Sequence, residues 1–165
     1  MLKINLRYLG AAAGLAAALA VAPLTSLTAS ASPTSSTHDT HQRTEIIQLL
    51  AKQTQSESLD LGAKGLSLGD ERIIAEDLYQ DGKKIGDHSV VCTYVHINPS
   101  QLQCVGTFAL PHGQIAGQAL LHLPPAPAID IPITGGAGAY RTAHGYVHTV
   151  PAGDTERQLT FHITH

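Results

Sequence analysis

The sequence predicts an all-β fold, an eight-stranded antiparallel β-barrel. Three observations carry this. Short apolar or alternating runs recur from Asp70 to the C-terminus. Turn-forming residues separate them, among them Asp81-Gly82, Asn98-Pro99 and Pro111-His112-Gly113. No convincing helical period follows Leu68. Closing about eight strands leaves an interior just wide enough for side chains or one small ligand.

The chain opens with Lys3 and Arg7, an apolar run from Leu9 to Ala22, and Ala29-Ser30-Ala31. Charge, apolar run and small-x-small site predict a secretory signal peptide over 1–31, hence a secreted, extracellular protein. The apolar run is shorter than the ~20 residues of a spanning helix, so no membrane association is expected after cleavage. Segment 32–43 is rich in Ser, Thr, Pro and His and reads as a disordered leader. A single domain is expected over 44–165.

Thr44 to Ala51 is read as the first strand, and polar Gln55 to Leu68, with Gly62 and Gly65, as a long loop. Strands follow at Arg72–Tyr79, Ile85–Ile97, Leu102–Leu110 and Gln114–Leu123. Pro124-Pro125-Ala126-Pro127 reads as a loop, since proline cannot donate to a central ladder. Ile129–Thr134, Ala143–Val150 and Gln158–Ile163 complete the count. Gly135, Gly136 and Gly138 are read as a tight corner between two of these strands.

Removing the signal peptide takes Lys3 and Arg7 away and moves the formal net charge from −3 to −5. There is no basic patch, so no nucleic-acid partner is expected. The glycine run lacks the Lys and Ser/Thr of a phosphate loop, and no Gly-x-Ser-x-Gly elbow is present. Ten histidines occur without a metal-ligand spacing, so no metal site is expected.

Cys92 and Cys104 lie in adjacent runs, symmetric about position 98. A hairpin there makes a disulfide possible, and an oxidising compartment favours it over a free reactive thiol. Along that strand Val90, Cys92, Tyr94 and His96 share one face and Val91, Thr93, Val95 and Ile97 the other. Both faces are largely apolar. Cover for the outer one is expected from another element or another copy, giving a homo-oligomer.

Several side chains are candidates for chemistry. Glu76 and Asp77 are adjacent, so only one enters a barrel, either as a buried proton-transfer carboxylate or as a rim group. Cys92, Tyr94 and His96 are cavity candidates; Tyr94 could orient an oxygenated ligand and His96 shuttle a proton, with plain packing as the other reading. His144 and Tyr146 share a face of the seventh strand and complete the set.

Across about Thr44 to Thr164 the sequence resembles the allene oxide cyclase and dirigent superfamily. SLGD at 67–70 leading into EDLY at 76–79 looks like the start of the cyclases' second strand. Lys84-Ile85-Gly86, followed by Cys92, looks like their next strand. ITGGAGAYRTAHGYV at 133–147 resembles segments of both branches. Cys92 matches a cavity cysteine of the cyclases. Glu76 stands where they carry an asparagine, Glu76-Asp77 resembles a dirigent Asp-Asp pair, and His144 replaces the dirigent arginine before Gly-Tyr. The resemblance implies an eight-stranded barrel, dimeric or trimeric, that needs no cofactor. Its expected function is to bind an apolar small molecule and steer its cyclisation or stereoselective coupling, with Glu76, Asp77 and His144 as catalytic candidates. The alternative is a non-catalytic binding or structural barrel.

Overall fold

The computed structural model describes residues 43–165. The expected signal peptide, and the leader up to residue 42, lie outside the described residues. The strands are β1 (Thr44–Leu59), β2 (Glu71–Gln80), β3 (Lys83–Ile97), β4 (Ser100–Leu110), β5 (Gly113–His122), β6 (Ile129–Gly138), β7 (His144–Pro151) and β8 (Glu156–Thr164). Each pairs antiparallel with the next, and β8 returns to β1, so the expected barrel closes.

Local chemistry sets the register. Gln80 pairs with Lys83 across Asp81-Gly82, whose φ angles of 50° and 78° make the two-residue turn that matches strand twist. Cys92 pairs with Cys104 across the β3–β4 hairpin, and the two are joined by a disulfide. Strand alternation then sends even-numbered side chains of β2, β3 and β4 inward, with odd-numbered ones from the first half of β1 and from β5 to β8.

The interior is filled at one end only. Leu49, Leu78, Phe108, Ile115, Phe161 and Ile163 are each 2 % exposed or less. They form one cluster with Tyr140 and Ala143 from the β6–β7 connection. Phe108 meets Phe161 edge-on, with centroids 4.9 Å apart at 81°. Towards the other end, Cys92, Leu102 and Cys104 form a smaller cluster that lines the wall of a cavity.

Two expectations are corrected. Gln55 to Leu59 is strand, not loop: β1 runs to Leu59, paired with β2 beyond a bulge at Gln53/Gln55. The β8 ladder stops at Lys52, so this extension is held on one side only and its polar side chains stay in solvent. Gly135 and Gly136 are not the corner either. They lie inside β6, which pairs with β7 over Ile129–Ile133 and with β5 over Ile133–Gly138. The chain reverses over 139–143, with Gly138 at φ 66° opening the reversal.

Gly136 is required by close approach: a Cβ there would collide with the carbonyl oxygens of Tyr140 and Gln114. Gly136→Ala is therefore expected to destabilise the barrel by more than about 1 kcal/mol, read as a lowered Tm in thermal unfolding.

Candidate functional site

The unfilled end holds a cavity of about 310 Å³, within the size range of small-molecule sites. Ile74, Val90, Leu121, Ile131 and Leu159 make its walls apolar, and the Cys92–Cys104 bridge forms part of one wall. A seam runs along one side. The β5–β6 ladder ends at Gly117 and Ile133; beyond it β5 pairs only with β4 and β6 only with β7. Pro132 has no N–H to extend that ladder. Gln118, Leu121, Pro125 and Ile129 from both sides of the seam face the cavity.

Glu76 and His88 sit opposite each other on β2 and β3. The His88 Nδ1 lies 2.7 Å from Glu76 Oε2, and the side chains are 10 % and 7 % exposed. A carboxylate only accepts, so Nδ1 carries the hydrogen and donates it. In the neutral ring Nε2 then carries the lone pair. The imidazole lies flat on Phe108, centroids 4.0 Å apart at 7°. A Cβ at Gly106 would come 2.8 Å from Nε2, so the missing side chain keeps space beside that nitrogen. The result is an imidazole fixed in orientation by a buried carboxylate and an aromatic face, on a wall of largely apolar side chains.

The remaining polar lining includes Gln53, Arg72, Thr149 and Arg157. Arg157 Nε donates to Thr149 Oγ1 at 2.9 Å. Sequence reasoning singled out neither His88 nor either arginine.

Of the expected site residues, Glu76 and Cys92 line the cavity, and Tyr94 packs against the disulfide cluster. Four others do not enter it. Asp77 faces outward and bridges Lys84 at 2.7 Å. Lys84 also holds Asp87 at 2.8 Å, and these two carboxylates raise its pKa, Asp77 first. His96 is exposed beyond a β3 bulge, its Nδ1 2.7 Å from the Pro99 carbonyl oxygen. His144 and Tyr146 occupy even positions of β7, whose inward residues are Val147 and Thr149. His144 is exposed, its Nδ1 3.2 Å from the Thr142 carbonyl oxygen. Tyr146 stacks on His162, centroids 4.5 Å apart.

Asp70, from the SLGD segment, organises the β1–β2 loop. Its carboxylate accepts from Ser67 N at 2.7 Å, Leu61 N at 3.0 Å and Ser67 Oγ at 3.1 Å. The backbone bond from Ser67, with help from Leu61, holds its pKa below the usual carboxylate value. A lowered folded-state pKa contributes stability above the unfolded pKa and loses it as pH falls through the folded one. The Tm difference between wild type and Asp70→Asn is therefore expected to be largest near neutrality. It should shrink as the pH drops below about 4, measured by thermal unfolding at both pH values.

Strands paired all the way round, a filled end and a ligand-sized cavity define a cavity-bearing β-barrel. The chain belongs to the allene oxide cyclase barrel-like family, whose domain model matches residues 50–163. No curated protein matches the sequence. Among solved structures, a pyocyanin demethylase is 25 % identical with a TM-score of 0.62, the match covering 73 % of this chain and 100 % of that one. A pterocarpan synthase dirigent protein is 18 % identical at TM-score 0.61, covering 83 % and 96 %. An exo-specific intermolecular Diels-Alderase is 12 % identical at TM-score 0.59, covering 74 % and 99 %. The last two likenesses are of fold.

Proposed function

We propose that this barrel takes one apolar small molecule into its cavity and steers its cyclisation or coupling by confinement and proton transfer. The observation that carries the reading is the buried Glu76–His88 pair set among apolar side chains of the cavity wall. The chamber restricts the ligand to conformers that fit, which lowers the entropic part of a barrier. His88 Nε2 takes a proton from the bound molecule or returns one, and Glu76 orients the ring and stabilises its charged form. This division replaces the expected set of Glu76, Asp77 and His144.

Relatives named for demethylation, cycloaddition and pterocarpan synthesis support a small-molecule role in this fold. The proposal keeps secretion, which the Cys92–Cys104 bridge supports. It also keeps self-association, supported by Val91, Val95, Val105 and Leu120 standing exposed.

Native mass spectrometry of the protein purified from its own host tests the binding step. The expected spectrum contains an adduct of one small molecule per barrel, lost when Ala119→Trp fills the cavity. An adduct-free spectrum, or one unchanged by Ala119→Trp, contradicts the cavity reading. The same spectrum gives the oligomer mass.

A further inference from the structure

Two arginines line the cavity, Arg157 part-buried and Arg72 exposed, and no described carboxylate pairs with either. Arg72 on β2 and Arg157 on β8 both line it, from the two strands that flank β1. Two lysines elsewhere are matched: Lys52 bridges Glu156, and Lys84 bridges Asp77 and Asp87. Among the described residues neither Arg72 nor Arg157 has an ion-pair partner. Glu76, a carboxylate of the same cavity, is bonded to His88.

Arg157 is also held in place. Its Nε donates to the hydroxyl of Thr149, which is only 2 % exposed. That bond uses one of the five guanidinium hydrogens and leaves both terminal NH₂ groups for something else. Arg157, part-buried beside apolar walls, gives up some hydration with no described anion to compensate. A planar fork of donors is suited to a carboxylate or sulfonate in two-point contact.

We propose that the ligand is an amphipathic acid. Its apolar body lies against Ile74, Leu121 and Ile131, and its anionic oxygens sit on Arg157, with Arg72 as the second cation. This deepens the cavity reading above and rests on it. The acid group serves as an anchor that fixes which carbon of the body comes to rest beside His88.

Two fluorescent probes with the same rings test this: 8-anilinonaphthalene-1-sulfonate and the uncharged N-phenyl-1-naphthylamine. The wild-type protein is expected to bind the sulfonate about tenfold or more tightly than the neutral probe. Added salt should erode that margin. Arg157→Gln is expected to bring the two affinities level while leaving the neutral probe unchanged. Arg157→Lys should keep part of the margin, and Thr149→Val should lose part of it by freeing the guanidinium. Lys64→Gln, on the exposed β1–β2 loop, should change neither probe. Circular dichroism establishes that each variant is folded; if Arg157→Gln does not fold, Arg157→Lys and Thr149→Val decide. Equal affinities in the wild type, or an undiminished margin in the variants, overturn the acid proposal and leave the cavity reading standing. Failure of both probes to bind overturns both.

Discussion

Glu76→Gln is expected to slow conversion of the bound ligand by about 10²–10⁴-fold, the usual worth of a positioned acid–base group. Glutamine has nearly the same volume, so the chamber keeps its shape. What it loses is the charge and the acceptor-only character of the carboxylate. An amide offers N–H as well as oxygen and can pair with either tautomer of His88. It gives an imidazolium no ionic partner. His88→Gln should cost a similar factor, and the double variant should be little worse than either single one, because the pair acts as a unit. Ligand affinity should change far less than rate. Single-turnover kinetics alongside equilibrium binding separates the two. Equal loss of binding and turnover would mean that the pair only shapes the cavity. His144→Ala should leave both quantities unchanged, since His144 stands on the outer face.

The second large effect is on stability. Phe161 is fully buried and sits edge-on to Phe108, which in turn supports the His88 ring. Phe161→Ala removes that contact in the filled half of the barrel and leaves a void the surrounding strands can only partly close. The expected loss is about 3–5 kcal/mol, measured by urea unfolding followed by far-ultraviolet circular dichroism. A smaller second effect should follow on the site. With Phe108 unsupported, the imidazole loses its platform, so turnover at a permissive temperature should fall even where the variant is still folded. Phe161→Leu, which keeps most of the volume, should recover most of the stability.

Much of the fold was legible because alternation and turn chemistry agree. The Asp81-Gly82 turn, the Cys92–Cys104 register and the closure at eight strands all follow from local rules. The site was less legible, for a reason visible in the β2–β3 ladder. Counting back from the Gln80–Lys83 pair places Asp87 opposite Glu76. A bulge between Leu78 and Tyr79 adds one residue to β3 and brings His88 there instead. Nothing in the residue types announces that bulge, so the sequence pattern misses the Glu76–His88 pairing by one position. The β7 candidates lie outside the cavity for a different reason. His144 and Tyr146 share a face, but which face looks inward depends on how the β6–β7 reversal enters the strand, and the reversal lies beyond the glycines instead of at them. Arg157 was hidden because a charged residue at a strand start reads as solvent-facing until the cavity around it is known.

In the proposed mechanism the Glu76–His88 pair moves a proton on a molecule held in the cavity. The most direct measurement is the single-turnover rate of converting the molecule released from the purified barrel, taken in H₂O and in D₂O for wild type and Glu76→Gln. The wild-type rate is expected to fall in D₂O, and Glu76→Gln to be slow in both solvents while still binding the molecule. A wild-type rate indifferent to solvent, matched by Glu76→Gln, would contradict it and leave a barrel that binds without catalysing.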